Sequence, residues 1–190
     1  MWTTPLSDHP MVLLQWGVVL GASLVAALWD LTTRRIPNLL TGTLFLSGLV
    51  AAQAFRGGSG LADAGAGALL MGIPFVALFV LGGGGAGDAK LMAALGTWLG
   101  LANSAWVLFA VVITGAVVGL VYALARRRMG PVLSNLRRFA WNGFLAASTG
   151  GRVSATLSCP STEEMLAVPY GLSIFLGLCA AAGGRLLWHM

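Results

Sequence analysis

Charge is what this chain lacks. Only 9% of its 190 residues are charged, against about 25% in an ordinary soluble domain. Apolar residues make up 57%. So few charges cannot cover a water-facing surface, and the composition reads as an integral membrane protein. Cysteine is also scarce. Cys159 and Cys179 are the only two, and no CxxC pair exists, which argues against a zinc ribbon, a redox pair or a disulfide framework. The two histidines, His9 and His189, sit at opposite chain ends. No metal site and no cofactor are expected. The first ten residues carry no basic stretch and no small-residue cleavage site, so no removable signal peptide is expected.

What is present is a series of apolar runs of near-spanning length. The pattern predicts an all-α, polytopic membrane protein of about six transmembrane helices, forming a single domain over residues 1–190. The expected spans are 11–29, 36–55, 62–81, 88–101, 105–125 and 165–187. The first alone rises about 28 Å at ~1.5 Å per residue, close to the ~30 Å of a hydrocarbon core. Pro37 suits the first position of a helix, where its missing N–H costs little. The stretch from Arg56 to Gly60 reads as a flexible turn, and Ala102 to Ser104 as another. Pro74 is expected to kink the third span. The fourth span is short, so a re-entrant or thinned segment is the alternative. Gly115 and Gly119 have the GxxxG spacing of close helix packing.

Residues 126–164 form the one sizeable loop. Arg126, Arg127, Arg128, Arg137, Arg138 and Arg152 alternate there with apolar and aromatic residues, as in an amphipathic segment on an anionic membrane surface. The loop is short and hemmed in by spans, so no nucleic-acid partner is expected. Ser161 and Glu164 have capping-box spacing before the last span.

The charges orient the bundle. Six spans with both termini outside put Arg34, Arg35, Lys90 and the six arginines of the loop on the inner side. Arg56 and Arg185 remain outside. Nine against two is a strong positive-inside bias. The same count puts Asp30 and Asp88 at one face, the cytoplasmic one.

Residues 82–91 read GGGGAGDAKL. A carboxylate this close to a membrane segment is a functional candidate. Asp30, at the end of the first apolar run, is the expected partner. Two carboxylates sharing a site cannot both ionise, so one keeps a proton. That arrangement serves an aspartic peptidase, in which the ionised member takes a proton from water and the protonated one polarises the scissile carbonyl. The dipole at the start of its helix favours Asp88 as the base. Gly85 and Gly87 would let an extended substrate backbone approach. Lys90 points away from Asp88 as an inner-face anchor; Leu91 and Met92 share the Asp88 face, where core packing is expected and lining the cleft is the alternative.

These residues resemble a family. Gly85-Ala86-Gly87-Asp88 is similar to the GxGD motif of polytopic aspartyl proteases. Asp30 to Asn38 resembles the first-aspartate motif of prepilin peptidases, and Pro169-Tyr170-Gly171 the motif opening their last span. The likeness is greatest to the small prepilin peptidases of Flp/Tad-type pilus systems. Presenilin-type proteases fit less well: they carry a tyrosine where this chain has Trp29, and a Pro-Ala-Leu motif absent here. The resemblance implies cleavage of prepilin leader peptides at the cytoplasmic face of a bacterial inner membrane. It implies Asp30 and Asp88 as the catalytic pair, and Gly85, Gly87, Pro169 and Tyr170 near the substrate. Prepilin precursors, the lipid bilayer and pilus assembly machinery are the implied partners. With no CxxC zinc domain, neither N-methyltransferase activity nor an S-adenosylmethionine site is expected. Two other readings fit the residues: a small proton-coupled transporter, or a non-catalytic assembly protein of a pilus or secretion complex.

Overall fold

The computed structural model describes residues 10–33, 35–80, 85–125 and 170–188. The basic segment 126–164, Arg34, Gly82 to Gly84, Pro169 and both histidines lie outside the described residues. Those described form four helices and no strand: α1 (Pro10–Thr33), α2 (Asn38–Val80), α3 (Ala86–Ala125) and α4 (Tyr170–Trp188). Three are long and apolar enough to cross a membrane, over Met11–Thr33, Asn38–Val80 and Ala86–Val121.

α1 begins at Pro10, whose fixed φ suits a first helical position. It runs four residues past the expected boundary at Trp29, because Leu31, Thr32 and Thr33 continue the helical pattern. Asp30 therefore lies inside the last turn of α1 rather than after it. Thr33 Oγ1 returns to Trp29 O at 2.9 Å. The chain then leaves the helix, since Ile36 precedes a proline and is pushed out of the α region. α2 starts one residue later than expected: Pro37 is its cap, and its carbonyl accepts from Thr41 N at 3.3 Å.

α2 and α3 are each broken once, and both breaks sit at a glycine with positive φ. These are Gly57 (φ 64°) and Gly100 (φ 67°), values that side chains with a Cβ rarely adopt. The expected multi-residue turns at 56–60 and 102–104 are thus single-residue breaks with helix on both sides. Packing gives their direction. Asn38 pairs with Lys90 and Leu44 O with Trp98 Nε1, so the first half of α2 runs alongside the first half of α3. Gly67 abuts Gly96, and Gly72 abuts Ala93, so the second half of α2 runs the opposite way. The chain has reversed at Gly57. It reverses again at Gly100: Gly177 of α4 packs on Val111, and Gly184 on Trp106.

The breaks meet at one side chain. Asp63 forms an ion pair with Arg56 at 2.6 Å and accepts from the Leu101 backbone N–H at 3.0 Å. Its carboxylate fills the space a Cβ on Gly100 would need. It satisfies the N–H exposed where α3 resumes after its break, which an apolar medium would otherwise leave costly.

The core lies between the first half of α3 and its neighbours. Leu91, Met92, Leu95 and Leu99 of α3 meet Met71 of α2, Val19 of α1 and Ile174 and Leu178 of α4, all essentially sealed. Large apolar side chains cover the outside instead, such as Leu39, Leu69, Phe109 and Val121. That inversion suits a lipid solvent. Close helix approach occurs at Gly67 and Gly96, where a Cβ on either would strike the other's backbone. Gly115 and Gly119 have no neighbour within 4 Å of a Cβ position, so the GxxxG spacing is not a packing site among the described residues. Both glycines are partly buried on the second half of α3.

Candidate functional site: a carboxylate pair

Three helix ends converge at one end of the bundle: the last turn of α1, the first of α3 and the first of α4. Each brings one feature, and each is placed by local rules.

Asp88 is the third residue of α3. Gly85 is the cap, its carbonyl accepting from Ala89 N at 3.3 Å. From this third position a carboxylate can reach back to the cap's own N–H, one half of a capping box. Asp88 does so, hydrogen-bonding the backbone of Gly85. The residue is 8% exposed. A Cβ on Gly85 would lie 2.7 Å from Asp88 Oδ2, so the cap has to be glycine for this carboxylate to sit where it does.

Asp30 comes from α1. Its Oδ2 accepts from the Gly171 backbone N–H at 3.0 Å. Gly171 is the second residue of α4, and N–H groups there have no partner within the helix. A Cβ on Gly171 would meet Asp30 Cβ and Oδ2 at 3.0 Å and Ala27 Cα at 3.3 Å. The charge of Asp30 bears directly on Asp88, and that of Asp88 on the Tyr170 hydroxyl. Two carboxylates, each held by one backbone N–H, thus lie near one another with a phenol beside them.

The structure therefore brings Asp30, Asp88 and Tyr170 together, while Pro169 lies outside the described residues. The spaces beside the two glycines are filled from within the chain. Asp88 occupies the one beside Gly85, and Ile36 the one beside Gly87, 3.2 Å from a Cβ there. The backbone of Gly85 and Ala86 remains exposed. Lys90 is exposed and donates to Asn38 Oδ1 at 2.9 Å. Leu91 and Met92 are buried in the core. Sequence reasoning missed Gly171 as a donor. Its signal was the position, two residues into a helix that opens after Pro169.

Long apolar helices bundled so that two carboxylates meet near one end define a class, the helical membrane proteins. The family follows from the chain itself. Residues 17–120, more than half its length, match the Type IV leader peptidase family, and the chain belongs to it. The matched region contains both Asp30 and Asp88. No curated protein and no solved structure matches the chain. Membership makes it a prepilin peptidase whose substrates are prepilin-type precursors.

Proposed function

We infer that this peptidase is an aspartic endopeptidase, with Asp30 and Asp88 as its catalytic residues. The observation that carries the reading is the pair itself: two carboxylates from separate helices, each anchored by a backbone N–H.

The ionised carboxylate takes a proton from a water lodged between the pair. The oxygen of that water attacks the scissile carbonyl, whose oxygen accepts a hydrogen bond from the protonated carboxylate. The tetrahedral species collapses as a proton passes to the departing amine, and the pair again shares one proton. Because the two anchoring N–H groups are fixed at helix starts, Gly85 as the cap of α3 and Gly171 in the first turn of α4, the pair is preorganised for this exchange. The exposed backbone at Gly85 and Ala86, with Tyr170 opposite, is the approach for an extended substrate strand, and Pro169 adjoins it in sequence.

The finer assignments follow the charge distribution. Broken at Gly57 and Gly100, α2 and α3 give four crossings, and with α1 and α4 the bundle makes six. Both termini then lie outside and the carboxylates at the cytoplasmic face of the inner membrane. The few residues between the end of α1 at Thr33 and the start of α2 at Asn38 leave no room for a CxxC zinc domain there, in keeping with a Flp/Tad-type enzyme without N-methyltransferase activity. The test is cleavage of a prepilin precursor by the purified protein in detergent. Wild type should shorten the precursor, and Asp30→Asn and Asp88→Asn should leave it intact while remaining folded. Cleavage by either variant at the wild-type rate would overturn the assignment.

A further inference from the structure

Beside the carboxylate end, but on the opposite side of α3, runs an open groove of about 390 Å³. Its walls are Thr41, Gly42, Phe45 and Leu46 of α2 and Ala93 of α3, and its mouth is Lys90 and Asn38. Two residues along a helix is a rotation of about 200°, so Lys90 points away from Asp88. Leu91, Met92 and Leu95, on other faces of the same helix, turn into the sealed core. Whatever occupies the groove does not contact the reacting atoms.

The groove's chemistry has two parts. Its floor is apolar and opens on the face of α2 that carries exposed Leu39, Leu46 and Val50, where a bilayer supplies hydrocarbon. Its mouth holds one cation. Lys90 Nζ donates to Asn38 Oδ1 at 2.9 Å, which fixes the ammonium over the groove and uses one of its three hydrogens. Among the described residues the ion pair is Arg56 with Asp63, at the far end of the bundle. Among the described residues, then, no carboxylate forms an ion pair with Lys90.

An apolar slot under an oriented ammonium at a membrane surface matches an anionic phospholipid. The geometry points to a binding site for such a lipid on the α2–α3 face, its phosphate on Lys90 and Asn38 and an acyl chain along Phe45, Leu46 and Ala93. A substrate strand is the other candidate occupant. It is disfavoured because the groove faces away from the carboxylates that a substrate must reach.

Native mass spectrometry of the detergent-solubilised protein, titrated with phosphatidylglycerol and with phosphatidylcholine of the same chains, tests the site. Wild type should retain phosphatidylglycerol about fivefold better, the effect of ~1 kcal/mol for one cation at a membrane surface. Lys90→Ala should abolish that preference, and Lys90→Arg should restore it. Leu46→Trp, which fills the slot and keeps the charge, should lower retention of both lipids. Equal retention of the two lipids by wild type would overturn the proposal. So would an undiminished preference in folded Lys90→Ala. A photo-crosslinker at Leu46 that captured prepilin precursor instead of lipid would give the groove to the substrate and equally overturn it. None of these readouts depends on peptidase activity.

Discussion

A single methyl group at Gly171 should disable the peptidase without unfolding it. Gly171→Ala keeps the backbone N–H but places a Cβ 3.0 Å from both Asp30 Cβ and Oδ2. Ordinary contact needs about 0.5 Å more or beyond. Ala27 Cα, 3.3 Å away on the same side, blocks α4 from sliding along α1 to make room. The carboxylate must swing off, and the 3.0 Å bond from Gly171 N–H to Asp30 Oδ2 breaks with it. A hydrogen bond to a charged group contributes roughly 1.5–3 kcal/mol. At ~1.36 kcal/mol per decade, its loss in the transition state slows turnover roughly 10- to 150-fold. Alanine's helix preference over glycine, at most about 1 kcal/mol, offsets part of that loss, so the fold should persist with a modestly lower melting temperature. The assay is a time course of precursor conversion at several precursor concentrations, with helicity followed by circular dichroism. kcat should fall more than KM rises, because the group displaced is one of the proposed catalytic carboxylates. An unaltered kcat would refute the claim that this amide positions Asp30.

Other outcomes follow from the same geometry. Asp30→Asn or Asp88→Asn should each lower cleavage by roughly 10²- to 10⁴-fold, the usual range for a lost general acid or base, as measured by single-turnover conversion. Gly85→Ala, whose Cβ would lie 2.7 Å from Asp88 Oδ2, should slow turnover by roughly tenfold, the equivalent of about 1.4 kcal/mol of displacement. The pH–rate profile should be bell-shaped, since one carboxylate must be charged and the other protonated; a profile with a single limb would count against a working pair. Asp63→Ala should destabilise the detergent-solubilised fold by about 2 kcal/mol, mostly from orphaning the Leu101 N–H, with less from the partly exposed ion pair. Asp63→Asn, which keeps an acceptor, should lose less on thermal unfolding.

That Asp30 and Asp88 lie near one another is expected from the sequence, because the charge count assigns both aspartates to one face of the bundle. The apolar runs likewise gave helices near the right places. Boundaries failed where backbone geometry, not hydropathy, decides. Gly57 and Gly100 turn the chain with one residue each, and a hydropathy pattern has no term for a positive φ. The GxxxG at Gly115 and Gly119 misled for a related reason. Spacing says which glycines could let helices touch, but only tertiary packing chose Gly67 and Gly96. Gly171 and Gly85 were hidden more deeply, since the group each contributes is a backbone N–H, which every residue but proline carries. What marks them is the side chain they lack.

Asp63 is a clasp at the end of the bundle opposite the carboxylates, tying the breaks of α2 and α3 together. From Gly100 to Asp88 is twelve residues, an arm of about 18 Å. Over such an arm a change of a few degrees in the aim of α3 at Gly100 displaces Asp88 by about an ångström. Where α3 turns therefore decides where its acid sits.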